Sequence, residues 1–220
     1  MSKLIDLSHT VEHGMITYKG LPAPVISDYL SREDSKTRYA PGTEFHIGKI
    51  EMVANTGTYL DSPFHRYARG KDLAGLDLNS IANLDAIVVR CLAQTSIDEQ
   101  VFSDVDVKGK AVLVHTGWDK HWRTDEYSSG NHPFLTEGGA TYLAKNAAAL
   151  VGIDSFNIDE TRDGNRPAHT VLLGHDIPIV EHLCGLGELP DRGFKFFAVP
   201  VKVRQFGTFP VRAFGIVATA

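Results

Sequence analysis

At 220 residues, with 43% hydrophobic and 22% charged side chains, the chain is long enough for one domain, residues 1–220, with the composition of a globular protein. The net charge of −5 leaves no basic footprint for nucleic acid, and no stretch approaches the roughly 18 apolar residues of a membrane span, so neither is an expected partner. The first six residues lack the apolar run of a signal peptide, and Cys91 and Cys184 lie far apart in no metal or redox motif, which points to a reduced, cytoplasmic setting.

In chain order, residues 3–8 read as a short strand ending in Ser8-His9. Residues 14–24 hold Gly14, Gly20, Pro22 and Pro24 and form a loop with Tyr18 in its middle. Residues 31–42 are polar and charged, an exposed loop. Residues 43–53 alternate apolar and polar side chains and predict a strand. Ile87-Val88-Val89 and Ala111-Val112-Leu113-Val114 predict two buried strands. The second runs into Thr116-Gly117-Trp118-Asp119-Lys120-His121-Trp122, where Trp118 and Trp122 either line a pocket or pack under a loop. Residues 136–150 predict a helix capped by Thr136, with Tyr142, Leu143, Ala147 and Leu150 on one face, followed by a strand over 150–155. Residues 177–183 suit a second, shorter helix with Pro178 in its first turn. On such a helix His182 points about 100° away from Glu181, as a structural or surface residue. Residues 194–203 and 209–219 are apolar and β-branched, and read as late strands. Many strands with few helices favour an α/β or α+β class over regular βαβ alternation.

The richest chemistry lies in Asn55-Thr56-Gly57-Thr58-Tyr59-Leu60-Asp61-Ser62-Pro63-Phe64-His65-Arg66-Tyr67, just past the strand over 43–53. Gly57 permits backbone that a side chain would block, and Pro63 fixes its own φ and holds Ser62 extended. Asp61 and His65 then sit on a stiff, irregular segment, suited to catalysis or metal binding, or the Asp caps a turn and the His is solvated. Later come Ile153-Asp154-Ser155-Phe156-Asn157-Ile158-Asp159, then Arg166-Pro167-Ala168-His169, then Glu181.

Thr56-Gly57-Thr58-x-x-Asp61-x-Pro63-x-His65 resembles the signature of the cyclase family of metal-dependent hydrolases, which has arylformamidase and isatin hydrolase members. The similarity runs from Asp6 to the late strand near Arg212-Ala213-Phe214. It implies an α/β, swivelling β/β/α fold with a mixed, strand-rich core and few helices. It also implies that Asp61, His169 and Glu181 are metal ligands, that His65 is the acid/base, and that Tyr18 lines the substrate pocket. The chain departs from the family at Asn55 and Tyr59, where two metal-binding His are expected. Asn offers only a neutral carbonyl oxygen, and Tyr must lose a proton to ligate well. One divalent metal at most is therefore expected, Zn²⁺ or Mn²⁺, and no organic cofactor.

On this reading the protein hydrolyses an amide, lactam or lactone of a small, aromatic molecule. His65 moves the proton, Tyr59 serves as an oxyanion donor, and Tyr18, Trp118 and Trp122 hold a flat substrate. Asn55 belongs to the substrate side of the site, and Arg66 either neutralises a substrate carboxylate or forms a structural ion pair. Two other readings stay open: a metal-free hydrolase or lyase using Tyr59, Asp61 and His65, and a catalytically lapsed small-molecule-binding protein. The resemblance implies a homodimer or homotetramer, for which the apolar late strands suit an interface.

Overall fold

Thirteen strands and three helices are formed in the computed structural model, which describes residues 1–218. The strands are β1 (Ser2–Asp6), β2 (Val25–Leu30), β3 (Ile47–Glu51), β4 (Tyr59–Asp61), β5 (Leu84–Arg90), β6 (Ser96–Ile97), β7 (Ala111–His115), β8 (Phe134–Leu135), β9 (Leu150–Ile153), β10 (Ile179–Glu181), β11 (Arg192–Phe197), β12 (Thr208–Pro210) and β13 (Phe214–Ala218). The helices are α1 (Arg32–Ser35), α2 (Glu137–Lys145) and α3 (Pro167–Gly174).

Nine strands form one mixed sheet in the order β1-β13-β11-β5-β7-β9-β10-β4-β12. Its centre, β5-β7-β9-β10, is parallel, and both flanks are antiparallel. The parallel strands read as continuous apolar runs because both of their faces are covered. In β5, Ala86 and Val88 join one buried cluster with Leu7, Leu60, Leu186 and Phe196, while Ile87 and Val89 join another on the opposite face. That second face is covered by α2 and α3, through Ala140, Leu143, Ala168, Leu172 and Leu173. The α/β class with a strand-rich core and few helices is what the sequence predicts.

Four elements differ from expectation, and the first is the strand read over 209–219, which is split into β12 and β13 toward opposite ends of the sheet. Within residues 177–183, Ile179–Glu181 form β10, a fully buried strand paired with β9 and β4, so the expected helix is not there. Its apolar run is too short to show a helical period, and burial against two neighbouring strands decides its state. The second long helix is instead α3, opened by Pro167 at its first turn. The helix predicted over 136–150 stops at Lys145, with Asn146 as its C-cap, and Leu150 starts β9. The loop over 31–42 contains the single turn α1, capped by Ser31. The late strands β11 and β13 are interior to the sheet, with Phe194 and Phe196 in the core and Phe197, Phe214 and Ile216 half-buried on the other face. Thr219, the last residue expected in the final strand, lies outside the described residues.

Candidate active site

The site is laid out by strand register. Side chains two apart on a strand share a face, so Tyr59 and Asp61 point the same way from β4. Across the ladder, Glu181 of β10 is the partner of Tyr59, and Thr208 of β12 is the partner of Asp61. Both pairs are joined: the Tyr59 hydroxyl donates to Glu181 Oε2 at 2.6 Å, and the Thr208 hydroxyl donates to Asp61 Oδ1.

Past β4 the chain turns through a short 3₁₀ segment, Pro63–His65, with Pro63 at its first position. This turn brings His65 Nδ1 within 2.8 Å of Thr208 Oγ1. Because the Thr208 proton goes to Asp61, its oxygen accepts from His65 Nδ1–H, which leaves Nε2 with the free lone pair. The His65 side chain is 35% exposed while Asp61 is fully buried, so the ring is the member of this line that a substrate can reach. The Gly207 backbone is pressed against the same turn, and a Cβ there would lie 2.5 Å from the His65 nitrogen.

His169 sits in the first turn of α3. Its Nδ1–H donates to Asp159 Oδ2 at 2.5 Å, and Asp159 also accepts the N–H groups of Ala168 and His169 at 2.6 and 3.1 Å. That carboxylate satisfies the open N-terminus of α3 and turns His169 Nε2 toward Asp61 Oδ2, 3.7 Å away, and Glu181 Oε1, 3.9 Å away. Burial pushes the His169 pKa down, but the charges of Glu181, Asp159 and Asp61 outweigh it and raise the value to about 10. Burial holds the Glu181 carboxyl above its ordinary range.

These groups fit a divalent cation. Asp61 Oδ2 is buried and has no hydrogen-bond partner. Three buried carboxylates surround one imidazole, and among the described residues no Lys or Arg pairs with Asp61, Asp159 or Glu181. Asp61, His65 and His169 offer ligand atoms within 4.8 Å of one another, and Glu181 adjoins His169. An oxygen-rich set with one or two imidazoles suits Zn²⁺ or Mn²⁺.

Behind Glu181 lies a buried polar chain. Tyr18 Oη is 2.8 Å from Tyr59 Oη and accepts from Asn157 Nδ2 at 3.0 Å. His182 Nε2 is 3.2 Å from Tyr18 Oη, and its Nδ1 is 2.8 Å from Tyr127 Oη. Burial, and then the charge of Glu181, hold the Tyr18 and Tyr59 pKa values well above 10, so both phenols are neutral donors. The Tyr59 proton is already committed to Glu181, which does not fit the oxyanion-donor role expected of it. His182 follows β10 with a positive φ of 55° and is fully buried, so it is not on a helix and takes the structural rather than the surface role of the two expected.

Tyr18, Asn55, Tyr59, His65 and Arg66 line one cleft of about 330 Å³ with His169 and Glu181, a volume in the range of small-molecule sites. Asn157, Arg166 and Leu21 complete its wall. Trp118 and Trp122 are not among its lining residues. The Trp118 indole N–H donates to the Tyr127 carbonyl at 3.1 Å, and Trp122 stacks on His9 with ring centroids 3.9 Å apart beside a neighbouring cavity. Both rings are half-buried, and Trp122 lines that neighbouring cavity. Sequence reasoning gave no role to Thr208, Asp159 or Arg166. Asp159 and Arg166 stand in the quoted stretches before His169, but Thr208 reaches Asp61 only through strand pairing, which leaves no local signal.

A family model described as "Putative cyclase" matches residues 5–160. The chain is 28% identical to kynurenine formamidase of Bacillus cytotoxicus over 213 residues, 96% of each chain. It superposes on isatin hydrolase A from Labrenzia aggregata, bound to benzyl benzoate, with a TM-score of 0.83 at 18% identity, covering 99% of this chain and 94% of that one. A solved structure described as a potential metal-dependent hydrolase with cyclase activity gives a TM-score of 0.80 at 22% identity over the whole of both chains.

Proposed function

The chain belongs to the cyclase family, and on that footing we propose that it is a hydrolase of the amide, lactam or lactone bond of a small aromatic molecule, with arylformamidase-like chemistry. The observation that carries the reading is the line Asp61–Thr208–His65, ending in a free imidazole nitrogen at a cleft. The kynurenine formamidase and isatin hydrolase relatives support the substrate class.

Asp61, His169 and Glu181 would hold one divalent cation, Zn²⁺ or Mn²⁺, which when bound supplies Lewis acidity toward a carbonyl and makes water more acidic. His65 takes a proton through Nε2 and returns it to the leaving nitrogen or oxygen, the two halves of general acid–base catalysis. Thr208 fixes the tautomer that makes Nε2 the acceptor. Asp159 orients His169, and Tyr59 orients Glu181. Tyr18 and Asn55 shape the substrate side of the cleft. No organic cofactor enters this reading.

The test is formate release from N-formylkynurenine, and ring opening of simple lactones, with and without chelator. Activity lost to chelator and restored by Zn²⁺ or Mn²⁺ supports this reading. Activity indifferent to chelator supports metal-free catalysis by Tyr59, Asp61 and His65, and no activity toward any substrate supports a lapsed, binding-only descendant.

The assembly proposed is a homodimer or homotetramer. The β2–β3 hairpin supports it, because Val25, Ile26, Tyr29, Ile47 and Ile50 are all exposed on a two-stranded sheet, which is marginal alone in water. A cytoplasmic location is proposed from the free Cys91 and Cys184. Among the described residues, no helix is long and apolar enough to cross a membrane.

A further inference from the structure

We propose that Arg66 and Arg166 form an anion-binding rim on the cleft, so that the preferred substrate carries a carboxylate or similar anion away from its scissile bond. The proposal rests on the hydrolytic reading of the same cleft.

Both guanidiniums line the cleft beside His65, His169 and Glu181. They are anchored one helical turn apart. Arg166 is the residue before α3, its carbonyl accepts the Thr170 N–H at 2.9 Å, and Arg66 Nε donates to the Thr170 hydroxyl at 3.3 Å. Arg66 also lies over the Tyr67 ring, 5.3 Å from its centroid, and Arg166 donates to the Glu160 carbonyl at 3.2 Å. Neither contact neutralises the charge. Among the described residues Arg66 and Arg166 are in no ion pair, which they share with Arg32, Arg38, Arg69, Arg192 and Arg204; what sets these two apart is that both line the cleft.

Arg166 has φ 50° and ψ 60°, a left-handed conformation; it is one of seven non-glycine residues with positive φ among those described, and of these it alone lines this cleft. The floor of the cleft fixes where an anion goes. Glu181 lines the floor and Asp61 is buried behind it, so the floor is the end of the cleft that accepts a cation. The rim is basic. A substrate with a neutral carbonyl at His65 and an anion toward α3 satisfies both, and planar guanidiniums bind a carboxylate in two-pronged fashion.

The experiment compares kcat/KM for 3- and 4-formamidobenzoate with that for neutral formanilide, using the full chain supplied with Mn²⁺ or Zn²⁺. The variants are Arg66→Gln, Arg166→Gln, the double variant and the two Lys substitutions. The parent protein is expected to prefer the better carboxylate isomer by about tenfold or more, and the double Gln variant to lose most of that ratio. The Lys variants retain part of it, and 0.5 M NaCl shrinks it because an exposed charge contact is screened. A carboxylate-to-formanilide ratio that is the same in the parent and the double Gln variant overturns the proposal. Titration calorimetry with 3- and 4-aminobenzoate against aniline needs no turnover. If no amide is cleaved, the hydrolytic reading fails, while aminobenzoate binding weakened about tenfold by the double substitution still supports the rim. Binding that is absent, or indifferent to the substitutions, overturns it.

Discussion

Tyr59 Oη and Glu181 Oε2 lie 2.6 Å apart across the β4–β10 ladder, with the phenol donating. The other carboxylate oxygen, Oε1, accepts the Ile158 N–H at 2.6 Å and stays 3.9 Å from His169 Nε2. Tyr59 therefore fixes which oxygen of Glu181 faces the cleft centre. Tyr59→Phe leaves a buried carboxylate short of its strongest donor, and the unfolding free energy should fall by about 1–3 kcal/mol in denaturant titration. An unchanged midpoint and slope would show that Asn157 and Tyr18, both near Oε2, replace the lost bond.

Thr208 is a positioning residue between Asp61 and His65. Thr208→Val keeps the shape and removes both bonds. Turnover is expected to drop on the order of 10- to 100-fold, with the pH–rate profile displaced, since small losses of alignment are costly. Thr208→Ser should recover most of it. Equal turnover in the Val and Ser variants would reduce Thr208 to a packing role.

Asp159 holds His169 by its Nδ1–H. Asp159→Asn is expected to weaken Zn²⁺ or Mn²⁺ binding by roughly 10- to 100-fold, the usual effect of losing a partner behind a metal-binding imidazole. Calorimetric titration of chelator-treated protein reads this without any assay of activity. Parent-like affinity would remove His169 from the ligand set.

Much of this site was visible before folding, and the reason differs by residue. Asp61 and His65 share one short, rigid stretch, so local chemistry marks them. His169 and Glu181 stand out only through resemblance, because nothing near them announces that α3 and β10 meet β4. The β10 strand itself is misread because Pro178 followed by three buried residues fits a helix start as well as a strand. Thr208 is silent for the same reason that Glu181 is placed well: register is a property of the sheet. Trp118 and Trp122 stay open between two roles in the sequence because aromatic residues at a strand end line pockets and pack loops with equal ease.

The protein should lose stability in mild acid. Burial lowers the pKa of His9 to about 4, and also lowers those of His115, His132 and His182. These imidazoles are neutral in the fold but take up protons near 6.5 when unfolded, so their contribution is complete above that pH and is lost as pH falls toward their lowered folded values, about 4 for His9. Asp154, raised by burial to about 6, and Glu181, also raised by burial, act in the opposite sense, as two groups against four. In chelator-treated protein, His169 adds stability below 6.5 that is lost as pH rises through about 10. Thermal midpoints measured from pH 7.5 down to 4.5 should therefore fall, and a flat or rising series would contradict the assignment.

The most direct measurement is formate release from N-formylkynurenine by metal-supplied parent and His65→Ala proteins, compared at equal folded concentration. The account predicts steady turnover by the parent and a loss of about 10²–10⁴-fold in the variant. Turnover in the variant above about a tenth of the parent's would contradict the role given to His65.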